Sequence, residues 1–201
     1  IDTIRISFID ELLKYELFSI FFSIFCFMVL INGTNFLDGV NILVSGYYLL
    51  ISCIIFYLGY NLKIIVDLDI FLILIICLSI FIFFNIMGKT ILGDGGSYLI
   101  GFLYGYFMIK IINDNQTMSP YFVALVFWYP AFENLFSILR RIFFSKKNIS
   151  KPDTFHLHQL IYFFFKKKNL LEIKNINNLT GSLIVFFNLI IFLISINYYQ
   201  N

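Results

Sequence analysis

Charge is what this sequence has least of: Asp, Glu, Lys and Arg together make up 13% of its 201 residues, against about a quarter in soluble domains. That scarcity excludes an ordinary water-solvated fold, and no nucleic-acid partner is expected. Cysteine is nearly as scarce. Cys26, Cys53 and Cys77 each sit inside an apolar run without paired spacing or a neighbouring histidine, which excludes a metal finger and leaves small buried hydrophobes as their expected role. No basic stretch leads into a short apolar core with a small-residue cleavage site, so no signal peptide is expected. The chain begins at Ile1 and reads as the C-terminal part of a longer protein. Internal repeats and Pro- or Gly-rich linkers are also lacking, and residues 1–201 are expected to form a single integral membrane domain.

What is present is apolar. Hydrophobic residues make up 60% of the chain, which contains 27 Phe and 13 Tyr and has a mean hydropathy of +0.89. Six apolar runs stand out, at about 17–31, 42–60, 70–87, 97–112, 120–138 and 181–196, with lengths near what a bilayer asks of a helix. Membrane strands need only about 10 residues and alternate, so these longer, uniform runs predict helices. In lipid each backbone N–H must pair within its own segment, which overrides the poor helix propensity of Ile-rich stretches. The expected fold class is therefore all-α, a polytopic transmembrane bundle of about six passes. Threading them puts 32–41, 88–96 and 139–180 on one side, and 61–69, 113–119 and the N-terminal segment on the other. The first side holds ten of the fourteen Lys and Arg, namely Lys89 and the nine from Arg140 to Lys174. The positive-inside rule predicts that it faces the cytoplasm.

Three polar clusters interrupt the apolar pattern on that side. The first, NGTNFLDGVN, carries Asn32, Asn35, Asp38 and Asn41 at a spacing of three, which places them near one helical face. A row of carboxamides with one carboxylate suits nucleotide or phosphate–metal recognition, and a simple helix-ending loop is the plainer alternative. The second, LGDGGSYLIG, sets Asp94 among glycines just before the fourth run. There Asp94 can hold a Mg2+, and Ser97 and the helix's first N–H groups can face an anion. A tight loop with an N-cap is the alternative. The third, KPDTFHLHQL, contains both histidines, His156 and His158, beside Asp153. No further Cys or His stands in the aqueous loops to complete a zinc site, which leaves anion contact or positioning, with a solvated surface as the plainer alternative. The stretch that follows, LIYFFFKKKNLL, predicts a segment in the interface near anionic membrane lipids. Glu133 and Pro130 in the fifth run are expected to be architectural, with Pro130 kinking its helix.

In this order and sidedness, NGTNFLDGVN, LGDGGSYLIG and PDTFHLHQL resemble the motifs of the polyprenyl-phosphate N-acetylhexosamine-1-phosphate transferases. That family (glycosyltransferase family 4) also includes the phospho-N-acetylmuramoyl-pentapeptide transferases, and the resemblance runs from about Asn32 to about Leu160. It implies transfer of a sugar 1-phosphate from a UDP-sugar to undecaprenyl or another polyprenyl phosphate, with release of UMP. The product initiates a lipid-linked glycan for cell wall or surface polysaccharide, at a cytoplasm-facing site in the bacterial inner membrane. By motif, Asp94 is implied as the Mg2+ ligand, and Asp38, Asn32 and Asn35 as lining the nucleotide-sugar pocket. His156 and His158 are implied as diphosphate contacts, with Asn85 and Lys89 as further pocket residues beside Asn41 and Ser97. A homodimer is compatible with the resemblance.

Three departures accompany it: Asn41 stands where the motif has a second Asp, Gln159 where it has a last His, and the upstream acidic pair is not found, Asp10 and Glu11 lying on the wrong side. Expressed by itself, the 201-residue chain is therefore expected to show no transfer. A transporter or channel subunit, with Glu133 as its mid-depth carboxylate, and an inactive membrane scaffold are the rival readings.

Overall fold

The computed structural model describes residues 4–143, 155–168 and 172–200, and within them the secondary structure is helical throughout. The helices are α1 (Ser7–Leu13), α2 (Glu16–Leu37), α3 (Leu43–Asn61), α4 (Leu68–Ile86) and α5 (Gly93–Asp114). They continue with α6 (Pro120–Val126), α7 (Trp128–Phe143), α8 (Leu157–Lys167) and α9 (Ile173–Ser195), closed by a 3-10 turn at Ile196–Tyr198. Among the described residues five helices are long and apolar enough to cross a membrane, and α6 with α7 makes a sixth span if the bent pair is taken as one. The chain is a multi-pass membrane protein with an all-α bundle.

Local signals account for several boundaries. Asp67 accepts the Ile70 N–H and caps α4. Ser119 caps α6, whose first residue, Pro120, has no N–H that would need a partner. Two helices extend into the polar clusters. Asn32 through Leu37 form the last turns of α2, and α5 starts at Gly93, so Asp94 lies in its first turn and Ser97 within it.

α3 is the central helix: Tyr47, Tyr48, Ile51, Ile55 and Leu58 are fully buried. Its neighbours include α4 and α9, while α2 packs on α5 and α7. Small residues let these helices approach, as packing in lipid favours. Gly101 and Gly105 of α5 lie against Ile31, Thr34 and Phe27 of α2, and Gly33 of α2 lies against the Pro130 carbonyl of α7. Hydroxyls inside the bundle pair with each other: Thr34 with Tyr48 at 2.5 Å and Ser52 with Tyr104.

The expected kink is present, in the turn before Pro130. α6 and α7 meet at 70°, and the break falls at Phe127, three residues before Pro130. Pro130 is the third residue of α7, where its missing N–H costs nothing because first-turn donors have no partner within the helix. The cysteines depart from expectation: Cys53 and Cys77 are exposed on the bundle surface and Cys26 is half-buried. In a membrane that surface faces lipid, which suits a small apolar side chain as well as a core does.

Cross-links sort the ends of the bundle. At one end, Asn41 and Ile86 are bonded to Asn177 and Asn178 of α9. At the other, Asn115 pairs with the Ile65 backbone, Tyr121 bonds the Arg5 carbonyl, and Arg5 reaches the Gln200 carbonyl. The clusters at 32–41 and 88–96 therefore share one end with α8, and α1 lies at the opposite end.

Candidate active site

At the polar end the first two clusters meet through the helices that carry them. Asn35, one turn before the end of α2, accepts a hydrogen bond from Ser97 Oγ (2.8 Å) and donates to the Tyr98 hydroxyl (3.2 Å). Ser97 is fully buried, so this contact fixes the start of α5 against the end of α2. One turn further on, Asp38 closes α2 and faces the first residues of α5. Burial pushes its carboxyl above the usual carboxylate range, the Gly93 backbone N–H draws it back, and the charge on Asp94 raises it again. The two carboxylates thus sense each other across the α2–α5 junction, with Asp94 exposed at the N-terminus of α5. That helix end presents N–H groups and the positive pole of the helix dipole.

The third cluster comes to the same place by a different route. α8 begins just after His156, and Gln159 accepts the His156 N–H at 3.3 Å, half of a capping box. The departure at Gln159 therefore has a structural role. His156 is buried between Phe36 of α2 (5.0 Å between ring centroids) and His158, with which it stacks at 5.8 Å. His158 lies against Gly39, where a Cβ would sit 2.2 Å from its Nε2. It is 1% exposed, and neither ring nitrogen has a hydrogen-bond partner among the described residues. Burial pushes its pKa down to about 4, His156 adds to the shift and Glu133 opposes it.

Glu133, read from the sequence as architectural, is the residue that places His156. It is 3% exposed in α7; its Oε2 lies 2.9 Å from His156 Nδ1 and its Oε1 accepts the Leu157 N–H at 3.0 Å. With Nδ1 facing the carboxylate, His156 is left Nε2 for any other group. The signal available beforehand was a carboxylate inside an apolar run, which demands a partner. Nothing in the sequence says that the partner is a histidine 23 residues on. Arg140 helps hold the same entry, donating to the Phe155 carbonyl at 2.7 Å and lying over the Phe155 ring.

The remaining candidates fall into different settings. Asn32 donates to the Met28 carbonyl of its own helix. Lys89 stands exposed on the connection to α5. Asn85 is buried and uses both polar atoms on backbone, accepting from Ile42 N–H (2.7 Å) and donating to the Thr90 carbonyl (2.8 Å). Asn41 donates through its backbone N–H to Asn177 (2.6 Å) and through its carboxamide to Asn178 (2.9 Å). Asp153 lies outside the described residues.

Among the described residues no three His, Cys, Asp or Glu side chains cluster as a closed metal cage. A Mg2+ does not need one, since it takes one or two carboxylates and completes its shell with phosphate oxygens and water. The Asp38–Asp94 pair at a helix N-terminus fits that donor set.

One end of this bundle of membrane helices thus gathers a carboxylate pair, a helix N-terminus and two histidines. The glycosyl transferase family 4 model matches residues 1–112, more than half of the chain, and the chain belongs to that family. The match includes the first two polar clusters; His156 and His158 lie beyond it. Membership gives the protein a phosphoglycosyltransferase-type role. No curated protein and no solved structure matches the chain.

Proposed function

We propose that this protein transfers a sugar 1-phosphate, an N-acetylhexosamine 1-phosphate, from a UDP-sugar to a polyprenyl phosphate on the cytoplasmic face of a bacterial inner membrane. The observation that carries the reading is the convergence of Asp38, Asp94, His156 and His158, from three distant segments, at the basic end of the bundle. In the step proposed, an oxygen of the lipid phosphate attacks the sugar-bearing phosphorus, the phosphoanhydride bond to the second phosphorus breaks, and UMP leaves. The products are UMP and a sugar diphospho-lipid.

Asp94, with Asp38, would hold a Mg2+, whose charge neutralises the diphosphate. The N–H groups at the start of α5 face the same anion. The orphaned nitrogens of buried His158 support a role in contacting phosphate, because buried polar atoms without partners are rare. His156, braced by Glu133, would present Nε2 to the diphosphate. Asn32, Asn35 and Lys89 would line the sugar-nucleotide side. Such a site works by position and charge and needs no strong base.

α8 fits the lipid side of the reaction. It exposes Leu157, Leu160, Phe163 and Phe164 and ends in Lys166 and Lys167, with Lys168 over the Phe164 ring at 4.5 Å. That is the pattern of a helix lying in an anionic interface. The transporter reading loses its main support, since Glu133 already holds His156 and Leu157.

The test is transfer from radiolabelled UDP-GlcNAc to undecaprenyl phosphate in membranes expressing the whole open reading frame that encodes the chain. Lipid-linked label is expected, and Asp94→Asn should lower it by about 100-fold or more. Equal labelling in the variant removes Asp94 from the mechanism, and no labelling in the wild type favours the inactive scaffold.

A further inference from the structure

We propose that Asn85, Asn177 and Asn178 are positioning residues that clamp the turn after Asp38, so that α9 sets part of the active-site geometry. The catalytic consequence rests on the transferase reading above; the clamp itself does not. Between Asp38 and α3 the chain must reverse within a few residues, and it does so with Ile42 at φ 72°. A β-branched residue in the left-handed region is strained and persists only where its surroundings impose the conformation.

The surroundings are three carboxamides. Asn177 Oδ1 accepts the Asn41 N–H at 2.6 Å, and Asn85 Oδ1 accepts the next N–H, that of Ile42, at 2.7 Å. Asn178 ties the Asn41 side chain (2.9 Å) to the Ile86 carbonyl (3.2 Å). Asn85 completes the set through the Thr90 carbonyl. Asn85 therefore grips the chain four residues after Asp38 and four residues before Asp94. Below the turn, the backbone of α9 at Gly181 lies so close that a Cβ would fall 1.9 Å from the Asn41 carbonyl oxygen. The two carboxylates lie on segments that share one set of anchors, and two of the three anchors come from α9.

A shift of an ångström in a carboxylate that positions a diphosphate is enough to cost about a hundredfold in rate, so the clamp should be read in turnover more than in affinity. The test compares Asn177→Ala, Asn177→Asp and Asn85→Asp in the whole open reading frame, by amide hydrogen exchange, thermal unfolding, and kcat and KM for the UDP-sugar. Asn177→Ala should speed exchange across 39–43 by about tenfold or more while leaving the middle of α3 and α5 protected. Its kcat should fall by about tenfold or more, with KM within about twofold. Asn177→Asp keeps the acceptor for Asn41 and should restore both. Asn85→Asp keeps the acceptor for Ile42 but loses the donor to Thr90, and should not.

Unchanged exchange at 39–43 in Asn177→Ala, or faster exchange with unchanged kcat, overturns the proposal. So does loosening spread evenly over the bundle, which marks a merely structural residue. If Asn177→Ala does not fold, Asn178→Ala, which leaves the bond to the Asn41 N–H in place, is judged by the same measures. Absence of transfer in the wild type would sink the transferase reading, and the exchange data would still decide the clamp.

Discussion

Replacing Gly181 by alanine tests the packing on which the candidate site depends. Alanine is the better helix former by up to about 1 kcal/mol, so on propensity alone Gly181→Ala should stabilise α9. The structure reverses that sign. The new Cβ would lie 1.9 Å from the Asn41 carbonyl oxygen and 3.2 Å from the Leu43 nitrogen, and both neighbours are backbone that cannot rotate away. To reach ordinary contact, α9 and the turn must part by about 1.5 Å, which takes the Asn41 N–H out of reach of Asn177, now 2.6 Å away. Overpacking costs about 1–3 kcal/mol and the lost hydrogen bond about 0.5–1.5, so after the propensity gain a net loss of about 1–4 kcal/mol is expected. For a chain of this length that corresponds to a fall of roughly 2–15 °C in unfolding midpoint, measurable by thermal unfolding in detergent. Gly95→Ala is the control, because a Cβ there meets nothing within 4 Å, and its midpoint should hold or rise. A Gly181→Ala protein as stable as the wild type would refute the close approach of α9 to the turn.

Three further outcomes follow from the site. Glu133→Gln removes the charge facing His156 while leaving an oxygen for the Leu157 N–H; transfer should fall by about tenfold or more, and an unchanged rate would return Glu133 to an architectural role. His158, with a folded pKa of about 4 against an ordinary 6.5, stays neutral when folded and takes up a proton on unfolding between those values. Its contribution is therefore complete above pH 6.5 and is lost on acidification, by about 2 kcal/mol at pH 5. Asp38, raised by burial, works in the opposite direction in both proteins. A pH series of unfolding midpoints should thus be flatter for His158→Gln, and parallel curves would contradict the burial of His158. Finally, cysteines placed at Lys89 and at Lys63 lie at opposite ends of the bundle and should react with a membrane-impermeant thiol reagent from opposite sides, Lys63→Cys from outside the cell. The reverse result would overturn the cytoplasmic placement of the site.

Much of this protein could be read along the chain. Because lipid offers no partner to a backbone N–H, each long apolar run had to become a helix, and the length of the run set the span. The same logic put Asn32, Asn35, Asp38 and Asp94 at helix ends, where polar groups meet water, and the threading of passes gathered those ends on one side. What the sequence could not contain is which groups touch. Runs that are apolar on every face carry no mark of rotation or depth, so the pairing of Asn35 with Ser97, of Glu133 with His156, and of Asn41 with Asn177 and Asn178 emerged only when the helices were packed. The break at Phe127 was legible, since Pro130 disturbs the turn before it, but its 70° angle was set by the packed chain. Tertiary structure also gave Gly181 its importance: a small residue in an apolar helix is unremarkable until another backbone lies against it.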